Sequence, residues 1–597
     1  MKHLKRLMAI VLAGIMVVSL AGCGVGSQQS NSGGSKEVKF LYGGTSELMA
    51  IYAALIDEYN ATEGKEQGIT VKGVPKGTDL EGILAQQLSG NSGADVVALS
   101  DMYFKKFTPY FMELTDKIDQ SVLDGIYENT AMRYFYDSEA NTSNEDDPLY
   151  GVPIYNDAQV LYYNKTALKN NGVICISVAE EDLDAFNAGG KDANGKTKAD
   201  YGIENVTVLN KGFYRSQSPF VPQKGKADGT GWKALANGEI AIFNDQIAMN
   251  WDEMEDLAMI NTASHNSKSV STYGYYTQWW FDMGWSVGGD CVEDVSGNGD
   301  WVFTLATDMN NYQVNSGKTY TGKFTGTVYE EGDFLKLTDI IAAEAGDTIG
   351  YSTDKGTTYY YTVNGAKAGA RDFSNEVANG TLTEFPTILD AFSRFAHQAG
   401  KGGINVSPYP GEFSATSSVS YFISGKVAML VERVSYLESV EKLMSDEWGI
   451  APLVQYKEYT DPKNPNCDTV SKEGNVAVCS YGYGLAVNAK TKATDASVAF
   501  LTWVATDGQA FLAENGYASY RYEDEKTMLS KLPYKNAGVV IRSLEYGKPN
   551  DHWYMPDNDW IDTWASPLNK QVRYGTLAFN DYIYQYIDET NEKLKTY

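Results

Sequence analysis

"KEVKFLYGGTSELMAIYAALIDEYN" (Lys36–Asn60) sets the architecture of this chain. Its opening is a short apolar-rich run that enters a glycine turn, which predicts a strand. Ser46 follows as a plausible N-cap, and Leu48, Ile51, Tyr52, Leu55, Ile56 and Tyr59 recur at helical spacing. Downstream, "GITVKGV" (Gly68–Val74) predicts a second strand, "DLEGILAQQLSG" (Asp79–Gly90) a second helix and "ADVVALSD" (Ala94–Asp101) a third strand. Strand, helix, strand, helix, strand implies a parallel sheet. Ligands of such sheets sit outside the carboxyl ends of the strands. Those ends are Gly43-Gly44-Thr45-Ser46 and Ser100-Asp101.

Ahead of this unit, Lys2, Lys5 and Arg6 precede an apolar run, Met8–Leu20, that is too short to span a bilayer and has the size of a signal-peptide core. Leu20-Ala21-Gly22-Cys23 resembles the lipobox of bacterial lipoproteins, so residues 1–22 are expected to be a signal peptide and Cys23 the lipidation site. The glycine- and serine-rich stretch 23–36 then reads as a flexible tether. A chain of 597 residues forms at least two domains. A net charge of −28 argues against nucleic acid and against an anionic surface as partner, leaving the lipid as the membrane link. Beyond Cys23 the cysteines are Cys175, Cys291, Cys467 and Cys479, and no spacing suggests a metal site. Cys467 and Cys479 would close a short disulfide loop; buried free thiols are equally compatible with the sequence. His265, His397 and His552 fall in no triad or zinc pattern, and no cofactor or metal is expected.

"LYGVPIYNDAQVLYYNKTAL" (Leu149–Leu168) carries a Y-G-V-P element followed by an apolar strand ending in Y-N-K. It is similar to the hinge crossing of family 1 bacterial extracellular solute-binding proteins, the receptors of ABC importers. Further elements follow in that family's order: "MNWDEMEDLA" (Met249–Ala258), "YFISGKVAML" (Tyr421–Leu430), "WGIAPL" (Trp448–Leu453) and Gly482–Ser519, with its second crossing and paired helices. The resemblance implies an α/β, two-lobed fold of the periplasmic-binding-protein type (type II), like maltose-binding proteins. Residues 37–153 and 487–530 would form lobe 1, and 154–484 and 535–597 lobe 2, with crossings at Pro153–Asp157 and Leu485–Asn488. Two stretches, about 176–245 and 290–375, read as insertions. The first is rich in turn formers, and the second alternates as hairpins do. A rim, a partner contact and plain decoration all fit them. "DVSGNGD" (Asp294–Asp300) lacks the glutamate of a calcium loop and reads as a turn.

The densest aromatic stretch is "YGYYTQWWFDMGWSVGGD" (Tyr273–Asp290). Flat rings cover the apolar faces of sugars at little rotamer cost, and planar carboxylates and amides bind hydroxyls. Any one of these rings taken singly belongs in a core; the cluster suits a ligand. The resemblance places Tyr276, Trp279, Trp280 and Trp285 on a cleft loop, Asp157 in the hinge, Glu432 and Arg433 after the Ala428-Met429 element, and Trp560 and Trp564 on a late aromatic platform. Thr45, Ser46 and Asp101 complete the candidate ligand set. The implied function is a membrane-tethered, extracytoplasmic, monomeric receptor that captures an oligosaccharide and delivers it to permease subunits, with no bond broken. A surface glycoside hydrolase, which needs a carboxylate pair across a cleft, and a receptor for peptide or another solute are the alternatives.

Overall fold

The computed structural model describes residues 36–597 except 78–79, 90–92, 223–228, 298, 348, 354–358, 364–365, 401, 411, 413–417 and 534–535. It gives backbone alone for 89, 350–353, 359–363, 366–367, 584–585 and 587–588. The signal peptide, Cys23 and nearly all of the tether lie outside the described residues.

The opening stretch folds as its periodicity predicts. Strands β1 (Glu37–Tyr42), β2 (Thr70–Pro75) and β3 (Val96–Ser100) alternate with helices α1 (Ser46–Ala61) and α2 (Leu80–Ser89). β1 lies between β2 and β3 and is parallel to both. All six periodic positions of α1 are buried. Its N-cap is Thr45 rather than Ser46: the Thr45 hydroxyl accepts the Leu48 amide, and Ser46 is the first helical residue. Gly43 precedes this turn because a Cβ there would meet the Gly77 carbonyl at 2.6 Å.

The sheet continues through β4 (Gly151–Asn164), β5 (Tyr273–Tyr276), β6 (Val427–Arg433), β7 (Trp448–Ala451) and β8 (Val478–Val487). Its order is β2-β1-β3-β8-β4-β6-β5, with β7 also on β4. All 14 residues of β4 are buried, its polar Asn156, Asp157, Gln159 and Asn164 included. β4 changes partner midway. Gly151–Ala158 pair with β8, whereas Gln159–Tyr163 pair with β6. β8 joins β4 over Ser480–Ala486 and β3 over Tyr483–Val487. These two long strands tie the β1–β3 unit to the β5–β7 unit. The exchange of partners falls at Ala158/Gln159 on β4 and near Ser480–Tyr483 on β8, a few residues from the crossings expected from sequence.

Both insertions carry cores of their own. Ile176, Val178, Phe186, Val208, Tyr214 and Ile242 form one small cluster. Val295, Tyr312, Val314, Ile340, Phe373 and Leu382 form another. The alternating runs pair as expected, Tyr320–Thr321 with Val328–Tyr329 and Ile349–Thr353 with Tyr359–Val363. The Asp294 carboxylate accepts the amides of Ser296, Gly297, Gly299 and Asp300, so "DVSGNGD" closes a hairpin turn. Cys467 and Cys479 are free thiols; Cys479 is buried and Cys467 half-buried. Among the described residues no helix is long and apolar enough to cross a membrane.

Candidate functional site

The strand register fixes where a ligand can sit. In the β1–β3 unit, Ser100 at the carboxyl end of β3 is opposite Tyr483, and Tyr483 is opposite Tyr155. In the β5–β7 unit, β5 and β6 run parallel, and Arg433 at the carboxyl end of β6 is opposite Gln159. The carboxyl ends of both units therefore converge on the same few residues, 155–159 of β4 and 480–483 of β8. This is the crevice where open α/β sheets bind ligands.

The floor combines acids, one guanidinium and tyrosines. Asp157 is buried, and its carboxylate accepts the Ser435 amide at 2.9 Å and hydroxyl at 2.6 Å, with Arg433 Nε 4.0 Å away. Burial pushes its pKa up to about 6, against the opposing pull of Arg433. Arg433 remains partly exposed. Its guanidinium lies 5.0 Å from the rings of both Tyr436 and Tyr481, a cation–π sandwich. Glu432 is buried and accepts Ser418 Oγ at 2.7 Å and Gln278 Nε2 at 3.2 Å. Tyr436, Tyr481, Tyr483, Tyr276 and Trp279 are half-buried, as rings lining a crevice are.

Asp101 stands beneath this floor. It is fully buried, paired with Arg133 at 2.8 Å, and accepts the Gly482 amide at 2.9 Å. It therefore braces β8 and is not open to a ligand. Thr45 caps α1, and Ser46 is exposed with its hydroxyl on Glu47.

Four of the tryptophans expected at the cleft belong to the core. Trp280, Trp285, Trp560 and Trp564 are 0–2% exposed. Trp285 stacks on Phe281 at 4.4 Å, and Trp564 packs against Phe303 and Phe392. No face of these rings is open to a sugar. Their large apolar area wins a place in the interior, as the core reading of single aromatics allows. Trp279 differs from its neighbour: it is only half-buried, its ring tilts against Trp564 at 5.2 Å and its indole N–H donates to Asp551.

Asp551 also accepts the Trp280 indole at 3.1 Å, and its ligand atoms with those of Asp290 and Cys291 lie within 4.8 Å of one another. Asp290 in turn accepts the Trp285 indole at 3.1 Å and the Tyr554 hydroxyl at 2.5 Å. These donors satisfy Asp290 and one oxygen of Asp551; Asp551 Oδ1 is buried without a hydrogen-bond partner among the described residues.

Residues 42–275 match the profile of a family described as bacterial extracellular solute-binding protein. Over those residues, which are under half of the chain, it is similar to that family. No curated protein matches the sequence significantly. Solved structures share the fold at low identity. An ABC substrate-binding protein from Listeria monocytogenes in complex with cycloalternan is 12% identical, with a TM-score of 0.53 over 94% of this chain and 99% of that one. A structure described as maltose-bound T. maritima MalE3 is 13% identical, with a TM-score of 0.51 over 94% and 99%. A cyclo/maltodextrin-binding protein complexed with maltotetraose is 12% identical, with a TM-score of 0.52 over 95% and 99%. The two-lobed α/β architecture is thus the solute-binding protein fold.

Tyr481 and Tyr483 were not among the residues expected from the sequence. A signal was present. "YGYG" (Tyr481–Gly484) puts two tyrosines on one face of a strand and two glycines on the other. The glycines are required where the backbone meets buried side chains. A Cβ on Gly482 would lie 2.7 Å from Asp101 Oδ2, and one on Gly484 2.1 Å from the Tyr134 ring. Ser435 and Gln278 were missed because their partners, Asp157 and Glu432, lie far along the chain; Tyr436 was missed although its partner Arg433 is only three residues away.

Proposed function

We propose that this protein is the substrate receptor of an ABC importer and that it captures an oligosaccharide between its lobes. The convergence of both sets of strand ends on the Asp157–Arg433–Tyr481 floor carries this reading. Hydroxyls would meet Asp157, Glu432 and Gln278, and sugar faces would meet Trp279, Tyr436, Tyr481 and Tyr483. The solved structures named above hold maltose, maltotetraose and cycloalternan, which supports an oligosaccharide as ligand class. Lobe 1 is assigned to residues 37–153 and 487–530, and lobe 2 to 154–484 and 535–597. Closure by bending at the two crossings is the mechanism. A lipid on Cys23 would hold the monomeric receptor at the outer face of the membrane, beside the permease. The test is a thermal-shift screen against neutral and charged oligosaccharides, with X-ray scattering on any hit. A ligand that binds only the folded state raises the melting temperature, and closure reduces the radius of gyration. A panel that shifts nothing, while a peptide library does, assigns the crevice to another solute.

A further inference from the structure

Arg573 carries a charge that the fold leaves unanswered. It is 0% exposed, and none of Nε, Nη1 and Nη2 has a hydrogen-bond acceptor among the described residues. The other buried arginines are treated differently. Arg133 donates to Asp101, Ser480 and the Gly547 carbonyl. Arg215 pairs with Glu239 and Asp256, and Arg521 reaches Glu523 and two backbone carbonyls. An isolated buried cation is costly, so five donors without an acceptor mark a place built for something that arrives later. Burial lowers the Arg573 pKa to about 10, still charged at neutral pH.

Its position joins it to the crevice. The guanidinium lies 4.4 Å over the Phe395 ring, and that ring packs edge-on against Trp279 at 6.4 Å. Its charge also acts on the Tyr276 hydroxyl, at the carboxyl end of β5. Arg573 is therefore one side chain behind the wall formed by Tyr276 and Trp279. Planar carboxylates match a guanidinium fork with two parallel hydrogen bonds. We propose that Arg573 anchors the carboxylate of an acidic saccharide, a uronic-acid-containing oligosaccharide whose ring rests on Trp279. This rests on the receptor reading above and narrows its ligand class. With a chain charge of −28, the protein as a whole repels such a ligand, so recognition needs a localised, desolvated cation.

The experiment compares galacturonate-, glucuronate- and mannuronate-containing oligosaccharides with their carboxyl-reduced, neutral counterparts by calorimetry, on wild type and Arg573→Met, with sodium sulfate as an inorganic control. The expected result is at least about tenfold tighter binding of one acidic oligosaccharide than of its neutral counterpart, since hydrogen bonds to charged groups are the strong ones. Arg573→Met should abolish that preference while melting, without ligand, no lower than wild type, because it removes an uncompensated buried charge. Equal affinity for acidic and neutral forms overturns the inference and leaves the receptor reading intact. So does an acidic preference that survives in Arg573→Met, or stabilisation by sulfate alone. Binding of neither form also overturns the inference, while the receptor reading is decided separately by the wider oligosaccharide screen. The acidic-to-neutral comparison on wild type can still overturn the inference, by equal affinities, even if the variant does not fold.

Discussion

Replacing Trp280 and Trp279 one at a time by alanine should give opposite phenotypes from adjacent residues. Trp280 is fully buried, packs against Phe281 at 5.3 Å and Trp285 at 5.9 Å, and donates its indole N–H to Asp551. Truncating a ring in that setting removes its transfer energy and leaves a cavity, a cost of about 3–5 kcal/mol. Asp551 keeps the Trp279 donor, so the carboxylate is weakened and not abandoned. Sugar affinity should be unchanged in whatever fraction folds. Trp279 is half-buried, so its removal should cost roughly 1–2 kcal/mol of stability by the area it loses. As a central aromatic anchor it should cost about 2 kcal/mol or more of binding, or roughly thirtyfold in affinity. Urea unfolding of each variant without ligand, paired with calorimetric titration of the best saccharide, separates the two. A Trp280→Ala protein as stable as wild type but deficient in binding would refute the core assignment. A Trp279→Ala protein of full affinity would remove that ring from the site.

Four further outcomes follow from the geometry. Arg433→Met should weaken binding at least tenfold with little loss of melting temperature, because its guanidinium is partly exposed between two tyrosines; unchanged affinity by calorimetry would take it out of the floor. Asp551, pushed up to about 7 by burial, holds a proton in the fold that it releases when unfolded, so its contribution to stability declines as pH rises from about 4 to 7. Asp551→Asn should accordingly flatten urea-derived stability against pH in that window by up to about 1.4 kcal/mol per pH unit, and an unchanged slope would contradict the shift. Gly484→Ala should destabilise by about 1–3 kcal/mol, since its Cβ would meet the Tyr134 ring at 2.1 Å; a neutral effect on melting would show that β8 has slack there. Cys23→Ala should release the protein into the medium or leave it unprocessed, and processed protein still fractionating with membranes would refute lipid anchoring.

The scaffold was legible because it rests on local pattern. Helical spacing in Leu48–Tyr59 admits one reading once periodicity is counted, whereas Gly151–Asn164 was legible through its resemblance to a family's hinge crossing. The helix start at Trp251 was legible for a similar reason: Asn250 and Glu253 form a reciprocal capping box. The site was less so. Trp560 and Trp564 sit four apart on the helix Asp559–Pro567, which puts both on one face. That spacing signalled a core stripe more than a platform. Trp279 and Trp280 carry no such marker: both donate to Asp551, more than 270 residues away, and only the tertiary packing that buries Trp280 separates them. Asp101 at a strand end was legible as a site residue by position. Its burial against Arg133 depends on a fold-level neighbour that no local pattern encodes.

Calorimetric titration of the wild-type protein with the oligosaccharide that most raises its melting temperature, followed by recovery of the sugar, tests the central claim most directly. The receptor account predicts saturable one-to-one binding, a smaller radius of gyration at saturation, and an oligosaccharide recovered intact. New reducing ends in the recovered sugar would make the crevice an active site, and saturation without any contraction would deny that the lobes close over the ligand.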